Sequence, residues 1–78
     1  MEQKLQKYYE DQFDLFGMQG WKDLISDCKD LREVLDNVLT VKDSNDLYIR
    51  KGQLDMIDWL INWEESVDNA HKELANEQ

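Results

Sequence analysis

The stretch that decides the fold is TVKDSNDLYIRKGQLDMIDWLINWEE, residues 40–65. Five consecutive polar residues, 42–46, interrupt its hydrophobic pattern, and they include Asp, Ser and Asn, which are preferred helix N-caps. One helix is therefore predicted to end before this run, and a longer helix is predicted to begin at it, capped by Asp43 or Ser44.

The helix after the polar run has more apolar surface than one neighbouring helix can cover. One set of residues alternates at spacings of four and three, as in a coiled-coil seam: Ile49, Gln53, Met56, Leu60, Trp63, Val67, Ala70 and Leu74. A second set lies beside this seam, so that the apolar arc spans roughly 240°. We expect the second set to be a protein interface: Leu47, Leu54, Ile57, Trp59 and Ile61.

Two further helices are predicted before the polar run. The helix in the middle of the chain has a seam of the same spacing, which comprises Trp21, Leu24, Cys28, Leu31, Leu35 and Val38. Near the N-terminus, one helix face carries Leu5, Tyr8, Tyr9, Gln12, Phe13 and Phe16. The glycines at 17 and 20 separate these two helices.

The predicted fold is all-α. An antiparallel helical hairpin, about 20–42 and 44–75, carries a short N-terminal third helix, about 3–16, that folds back over part of its groove. The whole chain, 1–78, is predicted to be a single helical domain, since 78 residues bury only a small core.

Composition excludes several classes of function. A net charge of −9 argues against direct binding to nucleic acid or to an anionic membrane, because both partners need clustered Lys and Arg. No apolar run reaches the ~18 residues of a membrane span, so a soluble cytoplasmic chain is expected. The single cysteine, Cys28, allows no intramolecular disulfide and falls inside a seam, where it is expected to be a small buried residue.

The sequence contains no pattern typical of an enzyme or a metal protein. A calcium loop beginning at Asp43 fails, because the glycine and closing glutamate positions hold Tyr48 and Leu54. His71 follows Asp68 by three residues, but a di-metal bundle needs two such pairs and this chain has one histidine. We therefore expect no catalytic residues, no metal ligands and no cofactor.

Carboxylates concentrate on the last third of the chain. The candidate acidic face comprises Asp55, Asp58, Glu64, Glu65 and Asp68. Such a band is either a solvated helix face or a strip that imitates the phosphates of DNA and occupies the basic groove of an enzyme. Lys42, Arg50 and Lys51 form a small basic cluster near the turn that could meet an acidic partner.

Residues 40–65, with the preceding GWKDLISD, resemble small helical proteins encoded by tailed bacteriophages. The resemblance covers residues 20–65 and lies in a Trp-led helix, an acidic turn and the segment Leu47-Tyr-Ile-Arg-Lys-Gly-Gln-Leu54. It implies a viral protein located in the host cytoplasm or the virion, and it implies no activity for individual residues.

These observations together predict a non-enzymatic protein-binding module. The first hypothesis is a small phage structural or assembly protein that acts through an apolar helix face, binding a protein partner or self-associating, for instance as a homodimer. The alternative is an acidic inhibitor of a host nucleic-acid enzyme that acts by DNA mimicry.

Overall fold

The computed structural model describes residues 2–76. They form four α-helices, α1 (Gln3–Phe16), α2 (Gln19–Leu35), α3 (Ser44–Ile61) and α4 (Trp63–Asn76), with a short 3-10 helix, Val38–Thr40, between α2 and α3. No strand occurs in this part of the chain, which confirms the prediction of an all-helical protein. Residues 1, 77 and 78 of the predicted domain lie outside the described residues.

The long helix predicted at about 44–75 is two helices, because the chain leaves helical geometry at Asn62. Asn62 has ψ near 1°, and it ends α3 while its own carbonyl accepts the N–H of Ser66 at 3.0 Å. Asparagine is a weak helix former, since its short amide side chain competes for backbone hydrogen bonds. The predicted continuous helix is therefore wrong at this position.

The helix predicted at about 20–42 is also too long, since α2 ends at Leu35. The Asn37 side chain accepts the N–H of Leu39 at 3.0 Å, which supports a 3-10 turn in place of another α-helical turn. Val38 consequently leaves the predicted seam, and the neighbouring Leu39 is 90% exposed.

The helices pack in two pairs. α2 lies against α3, whereas α1 lies against α4 and also contacts the start of α2. The N-terminal helix thus contacts α4 and the start of α2, and its placement over part of the groove of a helical hairpin stays a prediction. The molecule measures 51 × 27 × 17 Å with a radius of gyration of 16.7 Å, well above the ~11.5 Å of a compact chain of this length.

The buried core lies where α1, α4 and the start of α2 meet. It consists of Tyr9, Phe16, Trp21 and Val67. The ring centroids of Phe16 and Trp21 are 5.2 Å apart, and Trp63 Nε1 donates to Gln12 Oε1 at 3.2 Å. This end of the molecule holds all the buried side chains among residues 2–76, so α2 and α3 meet without a fully buried core of their own.

Asp43 is the N-cap of α3, as predicted. Its backbone is extended and its Oδ1 accepts the N–H of Asp46 at 2.8 Å. This bond satisfies one of the free N–H groups in the first turn of α3.

We expect Asp43→Ala to lower the free energy of unfolding by about 1 kcal/mol, because it leaves the Asp46 N–H without its acceptor. Urea unfolding followed by circular dichroism measures this change. Asp30→Ala is the matched control, since Asp30 is an exposed residue inside α2 and should change stability little. Equal effects of the two substitutions would contradict the capping role.

Candidate functional site

Arg50 binds the connection between α2 and α3. Its Nη1 donates to Thr40 Oγ1 at 2.7 Å and to the Leu35 and Asn37 carbonyls at 3.4 Å, and its Nη2 donates to the Thr40 carbonyl at 3.0 Å. The Leu35 carbonyl ends α2 and has no donor within that helix, so the guanidinium of Arg50 supplies the missing partner. Arg50 therefore has a structural role in the connection, and the basic cluster predicted near the turn is reduced to Lys42 and Lys51.

Asp46 links the same connection to the first turn of α3. Its Oδ2 accepts the backbone N–H of Lys42 at 3.0 Å, and its carboxylate forms an ion pair with Arg50 at 3.4 Å. The hydrogen bond from Lys42, with the charge of Arg50 adding to it, holds the pKa of Asp46 below its ordinary value.

Arg32 and Asp58 join the last turn of α2 to the end of α3. Arg32 Nε donates to Asp58 Oδ1 at 2.6 Å, and Arg32 Nη1 also reaches Asp36 at 3.4 Å. The hydrogen bond that Arg32 donates to Asp58, followed by the charge of Asp58, raises the pKa of Arg32. Both side chains of the pair remain partly exposed, so the bond fixes how the two helices align more than it adds stability.

The five predicted interface residues do not share one surface. Leu47, half exposed, and Leu54, half buried, line a groove of about 400 Å³ between α2 and α3. Ile57 and Ile61 are half buried, and Ile61 lines a different groove with Phe13 and Phe16. Trp59 is exposed and lies outside the α2–α3 groove. Their role in binding stays a prediction.

A second apolar surface, which we call the outer stripe, runs along α3 and comprises Tyr48, Ile49, Gly52, Met56 and Trp59. The exposed fractions of its side chains are 71% for Tyr48, 61% for Ile49, 65% for Met56 and 57% for Trp59. Gly52, Met56 and Trp59 border a shallow depression of about 420 Å³.

For two members of the outer stripe, the sequence pattern predicts the wrong face of α3. Ile49 and Met56 were expected in the seam that packs on α2, and both are largely exposed. The spacing of residues in the sequence indicates this exposed face. Successive members Tyr48, Gly52, Met56 and Trp59 are four, four and three residues apart and so share one side of the helix.

The predicted acidic face divides into paired and unpaired carboxylates. Asp58 pairs with Arg32, and Asp68 pairs with Lys72 at 2.9 Å. Among the residues that the structure describes, the other three members have no ion-pair partner: Asp55, Glu64 and Glu65. Glu64, Glu65 and Asp68 line one wide groove beside the core.

The remaining chemical candidates are placed as follows. The ring of His71 packs edge-on against Tyr9 and Phe13, with centroids 5.1 and 5.2 Å away, so it belongs to the α1–α4 contact. Cys28 is half buried. Within residues 2–76 no three His, Cys, Asp or Glu side chains gather as metal ligands would. None of the described helices combines the length and apolar character that crossing a bilayer requires.

Comparison with known proteins adds no identification. No protein-family model, no curated protein and no solved structure matches this chain. The geometry of the chain itself therefore carries the functional argument.

The lowered pKa of Asp46 predicts an acid-sensitive contribution to stability. A carboxyl group with a folded pKa below its unfolded value of ~3.9 stabilises the fold fully above that value, and this stabilisation is lost as the pH falls through the folded pKa. We therefore expect Asp46→Asn to be less stable than the wild type above about pH 5, and the two to converge in stronger acid.

Urea unfolding at a series of pH values between about 2 and 6 measures this difference. Asp30→Asn is the control, since Asp30 is exposed and lies in no ion pair of the described structure. A constant gap between Asp46→Asn and the wild type at every pH would show that Asp46 does not act through its charge.

Proposed function

We propose that this chain is a non-enzymatic protein-binding module that acts through the exposed apolar residues of α2 and α3. The observation that carries the proposal is the contrast between its two ends. The α1–α4 end holds the four buried side chains, and α3 contains no buried residue.

The large apolar side chains exposed on α2, the connection and α3 are numerous: Leu24, Leu31, Val34, Val38, Leu39, Leu47, Tyr48, Ile49, Met56 and Trp59. Contiguous exposed apolar patches above a few hundred Å² mark binding sites on soluble proteins. A partner that covers these residues would remove from water the surface that the chain cannot bury itself.

We further infer that α2 and α3 run antiparallel, as a helical hairpin. Arg32 of α2 bonds Asp58 near the end of α3, whereas Leu35, at the end of α2, accepts from Arg50 near the start of α3. A residue later in α2 therefore bonds a residue earlier in α3, which is the order expected of two antiparallel helices. The hairpin presents a partly covered groove that the outer stripe borders, since Tyr48 of the stripe also lines the groove.

The biological context we propose is a bacteriophage, with this chain as a small structural or assembly protein of the virion. The resemblance of residues 20–65 to small phage proteins supports that context. A structural role also suits a helical module with exposed apolar side chains and without a cluster of metal-ligating residues in its described part.

We expect Leu47→Glu and Trp59→Glu to abolish binding to protein partners while leaving the helix content unchanged. Both side chains are at least half exposed, so a carboxylate there is tolerated in the free chain and is buried unpaired in a complex. Affinity capture of partners from phage particles or infected cells, with the purified variants as bait, provides the measurement.

Met18→Glu is the matched control, because Met18 is a similarly exposed apolar residue at the junction of α1 and α2. It should capture the same partners as the wild type. If Leu47→Glu and Trp59→Glu also capture them at wild-type levels, the binding surface does not include these residues of α3, and the proposed role of α3 is wrong.

The second candidate function is inhibition of a host nucleic-acid enzyme by charge mimicry. It is supported by the unpaired carboxylates Asp55, Glu64 and Glu65 and by the net charge of −9. The apolar exposure of α3 favours the first candidate, because a phosphate-like surface needs charge and not exposed aromatic rings.

Charge mimicry predicts that Glu64→Gln/Glu65→Gln weakens binding to a DNA-binding enzyme and that raising the salt concentration weakens wild-type binding steeply. Competition with labelled DNA at a series of salt concentrations measures both effects. Binding that is insensitive to salt, or that does not compete with DNA, would exclude this candidate.

A further inference from the structure

We propose that the outer stripe of α3 binds the same stripe of a second copy of this chain, antiparallel and crossing at Gly52. The proposal rests on the protein-binding role proposed above and names the partner and the contact. Three features of α3 carry it: a glycine that the fold does not require, an apolar area suited to a dimer, and charges that match when two copies are placed in opposite directions.

Gly52 has no function within the folded chain. It lies in the middle of α3, its φ is not positive, and a Cβ placed on it would meet no atom within 4 Å. A glycine inside a helix costs about 0.5–1 kcal/mol relative to alanine. The missing side chain would be used if another helix backbone approached α3 at this point.

The residues around Gly52 form the apolar surface that such a contact needs. Tyr48 and Met56 lie one turn to either side of Gly52, and Trp59 lies one turn further on. From their exposed fractions, the outer stripe offers roughly 500 Å² of side-chain surface per copy. Two copies would bury about 1,000 Å² between them, the lower limit for a specific protein interface.

Antiparallel pairing at Gly52 also matches charges. Lys51 and Asp55 lie at one edge of the outer stripe, and neither is in an ion pair within the described chain. A two-fold axis at Gly52 brings each Lys51 to within about two residues, ~3 Å along the helix axis, of the level of Asp55 in the second copy.

The same orientation separates the acidic ends of the two molecules. At ~1.5 Å per residue, Lys42 of one copy falls within about two residues of the level of Glu64 in the other, so one basic side chain lies near the acidic start of α4. Parallel pairing would place Glu64 and Glu65 of both copies together, which like-charge repulsion disfavours. Charge therefore favours the antiparallel arrangement.

The experiment is sedimentation equilibrium over a concentration series for the full chain and two glycine variants, Gly52→Ala and Gly20→Ala. Gly20 lies in the first turn of α2 and also has open space where a Cβ would be, so it is the matched control. We expect a monomer–dimer equilibrium in the wild type and in Gly20→Ala. In Gly52→Ala we expect a dissociation constant at least tenfold higher, together with a higher melting temperature at concentrations where the chain is monomeric.

A charge exchange tests the orientation. Lys51→Glu and Asp55→Lys should each weaken the dimer, because each places like charges opposite one another twice in a two-fold pair. The double variant Lys51→Glu/Asp55→Lys should restore wild-type association. Failure of the double variant to recover would overturn the antiparallel pairing.

The remaining outcomes are also decisive. A wild-type chain that is monomeric at every concentration, or a dimer that Gly52→Ala leaves unchanged, overturns the proposal. A monomer that still captures a different protein in a Trp59-dependent manner overturns the second copy as partner and leaves the protein-binding role standing. A wild-type chain that neither self-associates nor captures a protein would count against both the dimer and the protein-binding role.

Discussion

The arrangement of α2 and α3 depends on the guanidinium of Arg50. Carbonyl groups at the end of a helix need donors, and Arg50 supplies them to Leu35, Asn37 and Thr40 together. This requirement turns one side of α3 toward the end of α2. Gly52 follows Arg50 by two residues, a rotation of ~200°, so it lies on the opposite side of the helix. The exposure of the outer stripe is thus a consequence of how α2 ends.

Helical character and the start of α3 could be predicted because local chemistry decides them. The polar run at 42–46 contains the cap that α3 uses, and the absence of proline leaves long helical segments uninterrupted. The face that α3 turns toward α2 could not be predicted from periodicity. Apolar residues occupy most of its circumference, so they do not distinguish one face from another. The polar bonds of Arg50 and Asp58 to residues of α2 determine the face, and these partners are known only from the folded chain.

Both helix ends that the sequence did not predict have an asparagine at or near them: Asn62 is the C-cap of α3, and Asn37 follows the C-cap of α2, Asp36. Residue type alone does not explain them, because Asn69 lies inside α4 and the helix continues through it. Asn37 differs in that its side chain accepts a backbone N–H two residues ahead. Asn62 lies where the pairing of α3 with α2 gives way to that of α4 with α1. A local side-chain bond thus accompanies the end of α2 and a change of packing partner accompanies the end of α3, and the sequence pattern contains neither.

The unequal distribution of buried side chains has a consequence for how the molecule opens. Regions with few buried apolar contacts unfold locally at lower free energy than the core. Phe16 and Val67 can remain packed while α3 separates from α2, since only partly exposed polar bonds and half-buried side chains join those helices. Amide hydrogens of α3 should then exchange with solvent before those of α4. Any protein bound to α3 would slow this exchange. The helix α3 and the core would then unfold together only in the complex.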